Sequence, residues 1–285
     1  MKNPCCPNTE CPGRKAGEKA TVAPHGFYKT RSGRRRRYRC CACKSTFGST
    51  RGTAYYRLQH RRELFDEVAK LSVEGVNKSA ISRVKGIAWN TVHRWLERAG
   101  ELCRRFNDRN FVGYELSELQ ADEIRTFVGG KQDVVWIFAG IEVGTLLWPS
   151  TLVGRRSYQN TLGLFRDMFN RSANIDNPLI VTDGFEFYGR AVSEVIGMEY
   201  LYAQVIKTRR NNRVVKVEVR RDIGSKDEFE KALLESEDSE TLNTSFIERL
   251  KLTLRQATSY LTRQTTCPAR RSEQLENQLE TVRFY

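Results

Sequence analysis

The sequence predicts a multi-domain α+β protein: a small cysteine-rich module, then a helical segment, then a mixed sheet with flanking helices. Three observations predict it. Six of the eight cysteines fall within residues 1–43. Apolar side chains recur at helical spacing through residues 60–106. From Leu119 onward, short runs rich in β-branched residues alternate with amphipathic stretches.

At 285 residues the chain is long enough for about two domains, and 39% hydrophobic residues can build a sizeable core. No apolar run approaches the roughly 20 residues of a membrane span, and the N-terminus has no secretory h-region, so a cytoplasmic protein is expected. The net charge is +14. Residues 1–60 hold fourteen Lys/Arg against two Asp/Glu, or +12, leaving +2 for the rest. A charge excess confined to one end points to a polyanionic partner there.

Clustered cysteines in a reducing compartment favour metal over disulfides. Cys6-Pro-Asn-Thr-Glu-Cys11 and Cys40-Cys-Ala-Cys43 read as two knuckles of a zinc ribbon with ligands Cys6, Cys11, Cys40 and Cys43. Cys5 can replace Cys6 on spacing alone. Four thiolates leave no open position, so one structural Zn²⁺ is expected. Between the knuckles, aromatics and cations around Arg31-Ser-Gly33 predict a β-hairpin. Arg31, Arg34, Arg35, Arg36 and Arg37 would face a phosphate backbone.

Three helices follow. Leu64, Val68 and Leu71 mark the buried face of the first. Asn77 is placed to cap the second, with Ala80, Ile81 and Val84 inward and Gly86 at its end. Asn90 is placed to cap the third, with Val92, Trp95, Leu96 and Ala99 inward. A helix pair joined by a short glycine-containing turn is a helix-turn-helix pattern. It turns Asn90, Thr91, His93, Arg94 and Arg98 toward DNA. A packing hairpin is the plainer alternative. Domain boundaries are expected at 1–52, 53–106 and 118–285, with a polar linker at 107–117.

In the last domain, strands are predicted from Leu119, over Val134–Val143, over Thr145–Val153, at 179–183 and at 200–206. Helices are predicted at 158–170 and 188–195, giving the order βββαβαβ. A second basic hairpin and an acidic helical stretch read as an insertion at about 207–242 before a last helix from Asn243 to Tyr260. On that helix Ile247, Leu250, Leu254, Ala257 and Leu261 are expected inside. Glu248, Lys251 and Arg255 share another stripe. Asp183 ends the apolar run Leu179–Val181, where a carboxylate either caps the next helix or binds a cation. Asp122 lies on the first strand.

Taken together, CPNTEC, YRCCAC, NTVHRWLE, LQADEIRTFVG, VTDGFEFYGR and NTSFIERLKLTLRQ resemble transposases of the insertion-sequence-one type, which belong to the DDE group with a ribonuclease H-like catalytic domain. The resemblance spans nearly the whole chain and rests on motif order and spacing. It implies that Asp122, Asp183 and Glu248 are the catalytic carboxylates and hold two Mg²⁺ (or Mn²⁺) ions. Glu123, beside the first, is not assigned. Lys251 and Arg255, the two cations on the stripe of Glu248, are expected to contact DNA, an exposed ion-pair ladder being the plainer alternative. The implied partners are double-stranded DNA, both terminal inverted repeats and target, and further copies of the chain in a synaptic complex, a homodimer or larger. The implied setting is a prokaryotic nucleoid. The sequence departs from the pattern at Arg125, where an aromatic is expected nearby, and at Lys251, where Asn is expected. It also ends at Phe284-Tyr285 sooner than the pattern predicts. Three carboxylates suit hard cations and phosphodiester transfer without a histidine base. A DNA-binding regulator without catalysis, or a nuclease that cuts without joining, are the rival readings.

Overall fold

The computed structural model describes residues 5–15, 22–30, 33–197, 199–211, 213–236 and 240–285. After a helical turn, α1 (Pro12–Lys15), the strands β1 (Val22–Thr30), β2 (Gly33–Cys40) and β3 (Thr46–Gly48) form a small antiparallel sheet in that order. β1 carries an irregularity between Pro24 and Phe27, and Gly26 takes it up at φ 79°. Arg31 lies outside the described residues.

Three helices follow: α2 (Arg62–Val73), α3 (Lys78–Lys85) and α4 (Trp89–Asn110). They enclose a cluster built from Phe65, Val68, Ile81, Val92, Trp95 and Leu96. The Asn77 side chain accepts from the Ala80 N–H at 2.9 Å, and Gly86 closes α3 in the left-handed conformation. Three details differ from the sequence reading. The buried stripe of α2 is set one residue on, at Phe65, Val68, Ala69 and Ser72, with Leu64 and Leu71 at its rim. Val84 is exposed, because α3 spends its only fully buried position on Ile81. Asn90 does not cap α4: the helix begins at Trp89 after Ala88, without a side-chain cap.

The expected linker is also corrected at both ends. Residues 107–110 are the last turn of α4, and β4 (Tyr114–Phe127) begins before Leu119. The reason is a partner for α4. The chain closes with α9 (Ser272–Phe284), which the sequence reading passed over, and α9 packs along α4. Asn107 is fully buried there, donating to Glu280 O and Oε2 at 3.0 and 2.7 Å.

The main sheet has six strands in the order β6-β5-β4-β7-β8-β9, where β5 is Val134–Glu142, β6 Leu147–Gly154, β7 Ser172–Thr182, β8 Leu201–Arg210 and β9 Arg213–Ile223. β4 pairs antiparallel with β5 and parallel with β7; β7 runs parallel to β8, and β9 returns antiparallel. The helices α5 (Tyr158–Arg171) and α6 (Phe187–Ile196) cover one face over Leu119, Ala121, Phe138 and Ile180. On the other face, α8 (Ser245–Ala257) and α9 lie over Ile124, Ile137 and Ala139. Phe229 of α7 (Lys226–Glu235) extends that layer over β8. This is a mixed sheet between helical layers, with a separate small sheet at the N-terminus. Among the described residues, no helix is long and apolar enough to cross a membrane.

Candidate metal centres and the acidic cleft

Two clusters of potential metal ligands stand out, and different physics assembles each. In the N-terminal sheet, the thiols of Cys6, Cys11, Cys40 and Cys43 all lie within 4.8 Å of one another. Cys6 and Cys43 sulfurs are 3.6 Å apart, as are those of Cys11 and Cys40. A tetrahedron with Zn–S bonds of about 2.3 Å has edges near 3.8 Å, so the four sulfurs fit one Zn²⁺. Cys5 is exposed, which settles the choice the spacing left open in favour of Cys6. The Cys40–Cys43 turn is closed by Lys44, at φ 61°, donating its N–H to Cys40 O at 3.0 Å. Hydrogen bonds from Ser45 bring the Cys43 thiol down to about 6, while burial holds Cys6 up at about 12. One thiol is therefore ready to ionise and another needs the cation to do so.

The second cluster sits where β4 and β7 run side by side. Ala121 lies opposite Thr182, so Asp122 and Asp183, one residue on in each chain segment, emerge together. Carboxylate oxygens of Asp122, Glu123 and Asp183 come within 4.8 Å of one another. Strand alternation sends neighbouring side chains to opposite faces. Asp122 turns toward α8, where Lys251 Nζ lies 2.5 Å from its Oδ2. Glu123 turns toward α6, where the Tyr188 hydroxyl donates at 2.7 Å, and Arg156 donates its Nε–H at 2.7 Å. Arg156 itself stacks on Trp136 and Phe185.

Asp183 combines the two roles its sequence position suggested. Its Oδ1 accepts from the Phe185 N–H at 3.0 Å, which holds the turn into α6, and its side chain lines the cleft. Burial, then the charges of Glu123 and Asp122, push its carboxyl up to about 6. A carboxylate raised by negative neighbours is one that a cation would restore.

Glu248 lines the same cleft from α8 but stands outside the tight cluster. Lys207 of β8 lies 2.5 Å from its Oε1 and also donates to Thr244 at 3.1 Å. The cleft, about 530 Å³, is bounded further by Arg156, Lys207 and Lys251. What aligns α8 with β4 is Gln120, two residues before Asp122 and on the same face. Its Oε1 accepts the N–H groups of Phe246 and Ile247 at 3.1 and 3.2 Å, capping a helix whose Thr244 provides no side-chain cap. Sequence reasoning set Glu123 aside and missed Gln120, Arg156 and Lys207. A lone amide and a second carboxylate inside an apolar strand were the available signals for Gln120 and Glu123.

The residues assigned to nucleic acid are not gathered in one place. Arg34 and Arg36 lie over Phe27, and Arg37 over Tyr28, on the small sheet; Arg35 is half-buried in the same strand. Near the start of α4, Asn90 and Arg94 are exposed and Thr91 is half-buried. Two outward assignments are corrected. Arg98 donates to the carbonyls of Ala54 and Tyr56 at 3.1 and 2.9 Å, pinning the loop before α2. His93 is half-buried against Trp89, Lys78 and Glu97. Burial and then the Lys78 charge hold its imidazole below the usual range. Lys251 faces the acidic cleft, and Arg255 is half-buried further along α8.

No protein-family model matches the sequence, and no curated protein matches it. The chemistry available to the chain is therefore read from these two clusters.

Proposed function

We propose that the protein is a DNA transposase of the DDE type, with a ribonuclease H-like catalytic domain, a helix-turn-helix and a zinc ribbon. The observation that carries this reading is the meeting of Asp122 and Asp183 at the edge of adjacent parallel strands, across a cleft from Glu248 on α8. The strand order, three antiparallel strands followed by two parallel ones, with β9 added antiparallel at the edge, supports the ribonuclease H-like assignment. Asp122, Asp183 and Glu248 would hold two Mg²⁺ or Mn²⁺ ions. When bound, such ions activate a hydroxyl and stabilise the departing oxygen of a phosphodiester. Lys207 and Lys251 neutralise Glu248 and Asp122 in the protein alone, and are placed to turn to DNA phosphates instead. Glu123, beside Asp122 and Asp183, is engaged by Arg156 and Tyr188.

In this reading the basic small sheet and the start of α4 bind the terminal repeats, and the cleft cuts and joins. Phosphate contacts from Arg34–Arg37 supply affinity, and Arg94 with Asn90 faces the bases. Zn²⁺ on the four cysteines is structural.

The test is cleavage and joining of a labelled end in Mg²⁺, beside binding measured in Ca²⁺. Asp122→Asn, Asp183→Asn and Glu248→Gln should each abolish cutting, with little added loss in pairs, because ligands of one site act together. End binding should survive all three. Wild-type cutting by Asp183→Asn and Glu248→Gln would defeat the proposal. Cutting without joining would make the protein a nuclease. The ion pairs that already balance two of the carboxylates favour a second reading, a DNA-binding regulator; binding without cutting in any divalent metal would establish it.

A further inference from the structure

The edge of the main sheet carries a sequence that is complementary to itself. Among the described residues, β9 ends the strand order, pairs with β8 alone, and exposes every position from Arg213 to Asp222. β7 accompanies β8 only over Leu201–Gln204, so the outer part of the β8–β9 hairpin projects beyond the sheet. Along this free edge runs Val215-Lys216-Val217-Glu218-Val219. The three valines are 59%, 54% and 38% exposed, in a stretch where a solvated ribbon would carry polar side chains. An open strand with exposed β-branched residues is a template for another strand.

We infer that β9 is a docking strand for β9 of a second copy of this chain. Antiparallel pairing about a two-fold axis through Val217 sets Val217 against its own counterpart. It sets Val215 against Val219, and Lys216 against Glu218, on both sides of the axis. Within these five residues each strand offers the opposite charge where its partner has a charge, and a valine where its partner has one. Lys216 and Glu218 are 2.5 Å apart within one chain, so the charges are already held on one face of the strand. Shifting the pairing by two residues opposes Lys216 to Lys216 or Glu218 to Glu218, and like charges directly opposite are unfavourable. The register irregularity at Thr208/Arg209 leaves Val215 as the extra residue, which interrupts the new ladder at Val215 before Arg213 would oppose Arg221. A two-fold interface must use one patch on both partners, and this stretch satisfies that demand. The inference rests on β9 alone and is independent of the catalytic reading.

Sedimentation equilibrium of the zinc-loaded full chain tests it. The wild type should be a concentration-dependent dimer. Lys216→Glu and Glu218→Lys alone should each weaken dimerisation about tenfold or more, since two opposite-charge pairs become two like-charge pairs. The double exchange, Lys216→Glu with Glu218→Lys, should restore it. The two single variants mixed together should also associate, because their strands are again complementary. These positions are exposed, and unchanged circular dichroism will show that the variants fold. A wild type that stays monomeric to high concentration, or a dimer indifferent to the single exchanges, would overturn the inference. A monomer whose hairpin instead loses DNA affinity in the Val217→Glu variant would make the arm a nucleic-acid contact and overturn it equally.

Discussion

Asp183 shows how one residue's surroundings set up a metal response. Its carboxyl is raised from 3.8 to about 6, first by burial and then by Glu123 and Asp122. A group whose folded value is raised stabilises the fold fully below its unfolded value and loses that contribution as pH rises through the folded one. The metal-free protein should therefore lose stability between about pH 4 and pH 6 through this group. Asp183→Asn should flatten that part of the curve. Mg²⁺ at neutral pH should raise the melting temperature of the wild type and raise that of Asp183→Asn much less. Thermal melts across pH, with and without Mg²⁺, measure both. An identical pH profile in the two proteins would show that the like-charge cluster does not act on Asp183. The residue was legible in the sequence as a carboxylate ending a buried strand. Its neighbour Glu123 was set aside, because adjacency in sequence hid that both carboxylates reach the same few ångströms.

The contact between α4 and α9 makes its own prediction at the level of elements. A Cβ on Gly100 would fall 2.4 Å from Asn277 Cβ and 2.7 Å from its Cα. Backbone cannot yield as a side-chain tip can. Gly100→Ala should therefore push the helices apart and cost roughly 1–3 kcal/mol, within the range for overpacked sites. Urea unfolding measures it; a neutral effect would mean that the two helices are loosely held. The same contact explains the lost linker. Asn107 of α4 holds Glu280, and beside it Ser72 of α2 exchanges two hydrogen bonds with Gln278 at 2.8 and 3.0 Å. Arg104 reaches Glu276 at 3.3 Å. These partners are polar, so hydrophobic periodicity gave no sign of them.

At the scale of the molecule, α9 faces the main sheet with Leu275 and Leu279, faces α4 with Asn277 and faces α2 with Gln278. The three-helix unit and the sheet should thus unfold together. The cysteine module has its own small cluster, with Val22 and Phe47 around the thiols. Cys40→Ser should release the zinc and unfold residues 1–52 while leaving the rest folded. Metal analysis and hydrogen exchange test this; a wild type without zinc, or global unfolding on its loss, would refute it. The +12 of the first sixty residues should also make DNA affinity fall steeply with salt. Replacing Arg34–Arg37 with Ala should flatten the salt dependence and weaken all DNA sequences alike. A loss confined to one sequence would make this strand a base reader.

The sequence by itself determined the parts whose signals are local. Paired cysteines marked the thiol cluster, β-branched runs the strands, and Asn77 and Gly86 the ends of α3. The βββαβαβ order was readable because each element buries an apolar stripe whose period identifies it. Only the tertiary structure decided what depends on polar groups meeting across long sequence distances. Gln120 capping α8, Lys207 reaching Glu248 and Arg98 turning inward belong to this kind. So does α9 locking onto α4. A buried polar side chain is stable only when its partners are in place, and those partners are chosen by the fold.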